Sequence, residues 1–87
     1  MIEPVLRSHM LVLASVHSAA SGLSMISLGK RVANDSRFFM RIGAAKSFEA
    51  RTYDRVVAWF SENWPAGAAW PVEVPRPVVV SASEAAE

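Results

Sequence analysis

The stretch LGKRVANDSRFFMRIGAA, residues 28–45, decides how this sequence is interpreted. Apolar residues recur in it at helical spacing, a glycine interrupts the first apolar run, and arginines stand between the apolar positions of the second run. Two interpretations compete. The stretch is either a helix-turn-helix that puts Arg37 and Arg41 into a DNA groove, or a kinked, charged corner of a small helical domain.

A helix-turn-helix contains two short helices that touch closely, and this contact restricts the residue type at several positions. With Met25 as position one, positions four, eight, fifteen and eighteen should be apolar and position five should be small. The apolar positions are occupied by Leu28, Val32, Phe39 and Ile42, with Ile26 as a further apolar residue of the first helix. Position five is Gly29, whose cost of about 1 kcal/mol in helix propensity is explained if two backbones approach there.

The turn departs from that pattern. Position nine, usually a glycine, is Ala33, and position ten, usually apolar, is Asn34. Asparagine tolerates the left-handed backbone conformation, so Asn34 is predicted to make the turn one residue later than usual, within a longer turn. The residues therefore predict the helix pair and leave the geometry of its turn open.

Residues typical of helix starts and stops occur on both sides of this helix pair. They predict further helices, so the pair is expected to be part of a helical domain. A first helix is predicted from Pro4 to Gly22, because proline suits the first helical position and glycine suits the stop. Ser24 is the predicted N-cap of the second helix. Thr52 is predicted to cap a fourth helix with the sequence YDRVVAWFSENW, which Pro65 ends.

The C-terminal part of the chain differs in character. The stretch PAGAAWPVEVPRPVVV, residues 65–80, has four prolines and no helical period. It predicts an extended strap, partly polyproline II, that Trp64 and Trp70 anchor to the helices, followed by a frayed acidic tail. The expected architecture is all-α, with a compact four- to five-helix domain at residues 1–65 and the strap and tail at residues 66–87.

The composition excludes several classes of protein. Eighty-seven residues, 52% of them apolar, form at most one domain with a single core. The absence of cysteine excludes a disulfide scaffold and thiolate chemistry. No stretch approaches the roughly 20 apolar residues of a membrane span, and the start MIEPVLRSHM lacks the basic region of a secretory signal. A cytoplasmic protein is expected.

Basic residues are concentrated in the middle of the chain. Residues 30–55 hold seven basic and three acidic side chains, a net charge of +4, whereas residues 56–87 sum to −3 and residues 1–29 to zero. Such asymmetry suggests a surface for a polyanion. Composition alone would favour the alternative, which is a solvated helical face.

The region from Ser24 to Phe60 resembles the lambda-repressor-like (XRE-type) helix-turn-helix class, in particular the small single-domain versions found in bacteria and prophages. The likeness is carried by LSMISLGKRVANDSRFFMRIGAAKS and RTYDRVVAWFSENWP. It implies a compact helical fold and binding of double-stranded DNA, usually in transcription regulation and therefore at the nucleoid.

The recognition helix of such a unit is predicted at about residues 36–45. Its outward side chains, which would contact bases, are Ser36, Arg37, Met40, Arg41 and Ala44. Arginine can bind guanine O6 and N7 bidentately, and Met40 and Ala44 could touch a thymine methyl group. The predicted phosphate contacts, which position the protein without specifying sequence, are Ser24, Lys30, Arg31, Lys46 and Arg51.

Enzyme activity, a cofactor and a metal are not expected. His9 and His17 lie eight residues apart, with no carboxylate between them, on or beside the apolar stripe of the first helix, so they are predicted to be core histidines. The remaining alternative is a protein-interaction module or inhibitor that uses the tryptophan- and proline-rich tail. A dimer is predicted on DNA, with Trp59, Trp64 and the strap from Trp70 as candidate pairing surfaces.

Overall fold

The described part of the chain folds into four helices. The structure, a computed structural model, describes residues 3–77. Its helices are α1 (Glu3–Ser21), α2 (Met25–Ala33), α3 (Phe38–Gly43) and α4 (Ala50–Glu62). Helix α1 packs against the other three, and α2 also packs against α3 and α4. These residues contain no strand, in agreement with the predicted all-α class. The last three residues of the predicted strap, 78–80, and the predicted acidic tail lie outside the described residues.

The end of α1 and the start of α2 follow the sequence signals. Helix α1 stops before Gly22, whose φ of 80° lies in the left-handed region that favours glycine. Ser24 caps α2, because its Oγ accepts a hydrogen bond from the Ser27 amide at 3.1 Å. No single helix within residues 3–77 is long and apolar enough to cross a membrane; α1 and α2 qualify only when taken together, and a bend of 116° separates them.

The turn between α2 and α3 confirms the predicted conformation of Asn34, but the residues after Asn34 do not form the predicted helix start. Asn34 adopts the left-handed conformation, with φ 54° and ψ 37°. The Arg37 amide donates to Asp35 Oδ1, and the Phe38 amide donates to the Asp35 carbonyl, each at 3.0 Å. This local turn competes with helix formation. The recognition helix predicted at residues 36–45 is therefore shortened to α3.

Gly29 lies where the turn passes over α2. A Cβ atom at this position would stand 2.5 Å from the Asp35 carbonyl oxygen and 3.5 Å from Phe38 Cβ. The Asp35 amide also donates to the Gly29 carbonyl at 3.2 Å. The close approach predicted at Gly29 is present, although the backbone of the turn, rather than the body of α3, makes it.

Helix α3 ends in a second left-handed residue, Ala45, with φ 65°. The Ala45 amide donates to the Ile42 carbonyl and the Lys46 amide to the Arg41 carbonyl, each at 3.1 Å, which are the two bonds of a Schellman motif. The Arg7 guanidinium donates to the carbonyls of Ile42 and Lys46, each at 2.9 Å. A side chain of α1 thus completes the end of α3.

Helix α4 begins before the predicted cap. The amides of Thr52 and Tyr53 both donate to the Glu49 carbonyl, so Glu49 is the N-cap and Thr52 lies inside the helix. The prediction of Thr52 as the cap is therefore wrong. The core between the four helices and residue 74 consists of Met10, Leu13, Ala14, Leu28, Val32, Phe38, Phe39, Ile42, Val56, Val57, Phe60 and Val74.

Both histidines have structural partners, as predicted. His17 is 4% exposed, its Nε2 donates to the Asn63 carbonyl at 3.0 Å, and its ring packs against that of Trp59. His9 Nδ1 shares a hydrogen bond with the Tyr53 hydroxyl at 2.9 Å. Within residues 3–77 no group of three or more His, Asp or Glu side chains is placed to hold a metal ion.

Residues 65–77 fold back on the helices, and Trp64 and Trp70 pack against the core as predicted, although turns at residues 66–67 and 72–73 interrupt the predicted extended strap. The Trp64 indole donates to the Ala68 carbonyl at 2.8 Å, and the Trp70 indole donates to the Val74 carbonyl at 2.7 Å. The two indole rings pack with their centroids 4.9 Å apart. The tryptophans considered for pairing between copies therefore contact the chain itself.

Candidate nucleic-acid interface

The outer face of α3 and its flanking turns carry the side chains predicted to contact bases. The buried residues Phe38, Phe39 and Ile42 fix the inner face of the helix. All five predicted base contacts are exposed: Ser36, Arg37, Met40, Arg41 and Ala44. Only Met40 and Arg41 belong to the helix itself, because Ser36 and Arg37 precede it and Ala44 is its C-cap.

Asp35 holds one of the two arginines in place. Its Oδ1 accepts the Arg37 amide, and its Oδ2 forms an ion pair with Arg41 Nη2. The hydrogen bond from Arg41, followed by that from the Arg37 amide, lowers the pKa of Asp35 below its usual value, so the carboxylate is ionised at neutral pH. A guanidinium has five N–H donors, so Arg41 can keep this pair and still donate to a base or a phosphate.

An apolar concavity lies between the start of α2 and the start of α3. Ile26 and Met40 form its exposed sides, and Met25, Ser36 and Phe39 complete its lining around a volume of about 190 Å³. We refer to it as the Ile26–Met40 cleft. The sequence pattern places Ile26 among the apolar residues of α2, but Ile26 is 65% exposed. Its position two residues before the buried Leu28 places it on the opposite side of the helix.

The predicted phosphate contacts are exposed but do not share one face. They are Ser24, Lys30, Arg31, Lys46 and Arg51. Lys30 follows Ile26 by one helical turn and so lies on the same side of α2, whereas Arg31 points about 100° away from Lys30. The Ser24 hydroxyl already caps α2. Of the predicted phosphate contacts in α2, Lys30 is therefore the one on the same side of the helix as the Ile26–Met40 cleft.

A second concavity joins the end of α3 to the start of α4. Arg41, Ser47, Glu49 and Thr52 are among the residues that line its volume of about 380 Å³. The predicted phosphate contacts of this part of the chain flank the lining segment, Lys46 immediately before it and Arg51 inside it. The exposed carboxylate of Glu49 opposes anion binding at this point.

The charge asymmetry of the sequence is a property of the surface. All seven basic side chains of residues 30–55 are exposed: Lys30, Arg31, Arg37, Arg41, Lys46, Arg51 and Arg55. Sequence reasoning missed two residues of the site. Arg7 acts on α3 from 35 residues away, which no local pattern reveals, and the exposure of Ile26 could have been found from its angle to Leu28.

Residues 3–77 thus form a four-helix fold that exposes a basic helix pair with an apolar cleft. Comparison of the chain with family models, curated proteins and solved structures gave no match. Its function is therefore inferred from the arrangement of its own residues.

Proposed function

We propose that this protein binds double-stranded DNA in a sequence-specific manner through α2, the turn and α3, and that it regulates transcription. The observation that carries the proposal is the row of Arg37, Met40 and Arg41. Met40 and Arg41 are exposed on the outer face of α3, whose inner face is buried in the core, and Arg37 is the exposed N-cap of that helix. Arginine is the side chain that most often contacts guanine in the major groove.

The surface charge supports the same function. Seven exposed basic side chains in residues 30–55 favour association with a polyanion and make such binding dependent on salt. Because α3 is only six residues long, one copy offers few base contacts. Two copies on half-sites about 34 Å apart would double that number, and we propose this arrangement on DNA.

The protein-interaction alternative has weaker support. It requires free tryptophans in the tail, but Trp64 and Trp70 pack against each other and donate their indole N–H groups to nearby carbonyls. Val72, which is 99% exposed, is a single side chain on a turn and offers little area for a partner.

Selection of bound duplexes from a random library, followed by titration at two salt concentrations, tests the proposal. Arg37→Ala is expected to weaken binding to the selected duplex by roughly 1 to 3 kcal/mol without changing the thermal unfolding midpoint. Arg55→Ala, which removes an exposed arginine of α4 outside the predicted contacts, is the matched control. Wild-type protein that selects no sequence, or equal losses in the two variants, would contradict sequence-specific binding by α3.

A further inference from the structure

The Ile26–Met40 cleft contains two of the large apolar side chains that the described residues expose. Ile26 is 65% exposed and Met40 is 64% exposed. The inner faces of α2 and α3 are filled without them, by Leu28 and Val32 on one helix and Phe39 on the other. Covering such a pair would release water from apolar surface, which favours any ligand that presents an apolar group of matching size.

Three exposed basic residues lie close to the cleft residues along the chain. Lys30 lies one helical turn after Ile26 on the same face of α2, and Arg37 and Arg41 lie on either side of Met40 in the sequence of α3 and its preceding turn. A ligand suited to these exposed basic residues and to the cleft combines negative charge with small apolar groups. The major groove of DNA has this pattern, because the C5-methyl groups of thymine lie among the base edges between two rows of phosphates.

The volume of the cleft points to the same occupant. A concavity of about 190 Å³ is smaller than the roughly 300 to 1,000 Å³ of sites that enclose drug-sized molecules. A methyl group on a flat base edge needs no enclosure and only shallow contact on two sides. Methionine adapts its shape to such a group, so Met40 can close on a methyl group that rests against Ile26.

We infer that the Ile26–Met40 cleft binds C5-methyl groups of thymine in the major groove and so selects thymine at the base step that it faces. The inference rests on the proposed DNA binding and adds Ile26 to its specificity-determining residues. It also assigns a methyl contact to Met40 and not to Ala44. Ala44 is exposed at the C-cap of α3 but does not line the cleft.

Replacing thymine by uracil in the selected duplex isolates the methyl group, because the uracil–adenine pair keeps its hydrogen bonds. Wild-type protein is expected to bind the duplex less tightly by roughly fourfold for each methyl group that the cleft covers, the equivalent of burying one such group. Single thymine-to-uracil replacements along the site locate the step that contacts the cleft.

Variants of the protein then assign the effect to the cleft. In Met40→Ala and Ile26→Ala, the ratio of affinities for the thymine and uracil duplexes is expected to fall towards one, since methyl group and side chain form a coupled pair. Val72→Ala, which truncates an exposed valine far along the sequence from the cleft, is the matched control and should keep the wild-type ratio. Both cleft residues are exposed, so thermal unfolding should change little.

The outcomes separate this inference from the proposed function. Wild-type protein that selects no duplex would overturn both. Sequence-selective binding with equal affinity for the thymine and uracil duplexes would overturn the methyl contact and leave DNA binding standing. If Met40→Ala keeps the wild-type ratio but changes the sedimentation of the free protein, the cleft is a contact between copies and the inference is wrong.

Discussion

Both turns that flank α3 pass through the left-handed region, at Asn34 before the helix and at Ala45 after it. Asparagine tolerates this conformation, whereas a left-handed alanine incurs a penalty of roughly 1 to 2 kcal/mol. The first turn is fixed by neighbours in sequence, Gly29 and Asp35, and the second by Arg7 of α1. Local residues therefore specify the start of α3, whereas a tertiary contact supports the hydrogen bonds at its end.

The largest effect is expected from a methyl group added at the first turn. Gly29→Ala places a Cβ atom 2.5 Å from the Asp35 carbonyl oxygen, so the turn has to move, at a cost of roughly 3 kcal/mol, the upper part of the range for overpacking. Gly43→Ala makes the same chemical change on α3, where no atom lies within 4 Å, and should stabilise by about 0.5 to 1 kcal/mol. Denaturant titration of both variants distinguishes a steric clash at Gly29 from an effect of helix propensity, because helix propensity alone predicts stabilisation in both variants.

The second turn is expected to weaken when its tertiary contact is removed. Arg7→Met keeps an unbranched side chain but removes the donors to the Ile42 and Lys46 carbonyls, with an expected loss of about 1 to 2 kcal/mol, since the bonds are charge-assisted and partly exposed. Compared with wild type, the Arg7→Met variant should show a larger increase in the hydrogen-exchange rate at the Lys46 amide than at the Asn34 amide. Equal acceleration at both turns would show that Arg7 stabilises the whole fold rather than this end of α3.

A smaller gain is expected at Ala45. Ala45→Gly removes the side chain from a residue with φ 65° and should stabilise by roughly 1 kcal/mol, the strain relieved less the added freedom of the unfolded chain. Ala44→Gly, one residue earlier at φ −87°, is the control and should destabilise. Thermal unfolding of the pair tests the assignment, and a loss of stability in both variants would contradict it.

The two turns also differ in how much of their structure can be predicted from the sequence. The cap at Ser24, the close approach at Gly29 and the left-handed Asn34 were predictable, because each depends on residues within one or two turns. Helix α3 starts two residues later than the sequence predicts, because Asp35 forms a side-chain turn that periodicity does not reveal. The contact from Arg7 spans 35 residues and has no local signature.

The smallest effect on stability is expected from the carboxylate of the first turn. Asp35→Asn keeps an oxygen for the Arg37 amide but removes the negative charge paired with Arg41. Because this pair is exposed and screened by salt, we expect a slightly lower unfolding midpoint in dilute buffer and no difference at high salt. Asp54→Asn, on the exposed side of α4, is the control for a change in net charge.

The pH dependence of that difference identifies its cause. The Arg41 side chain and the Arg37 amide lower the pKa of folded Asp35 below the usual 3.8, so ionised Asp35 stabilises the fold above that pH. The stabilisation is lost as the pH falls through the lowered pKa. The midpoint difference between wild type and Asp35→Asn should therefore be constant near neutral pH and vanish in strong acid. A difference that persists in strong acid would assign the effect to the geometry of the asparagine side chain in the turn. The charge of Asp35 would then not be its cause.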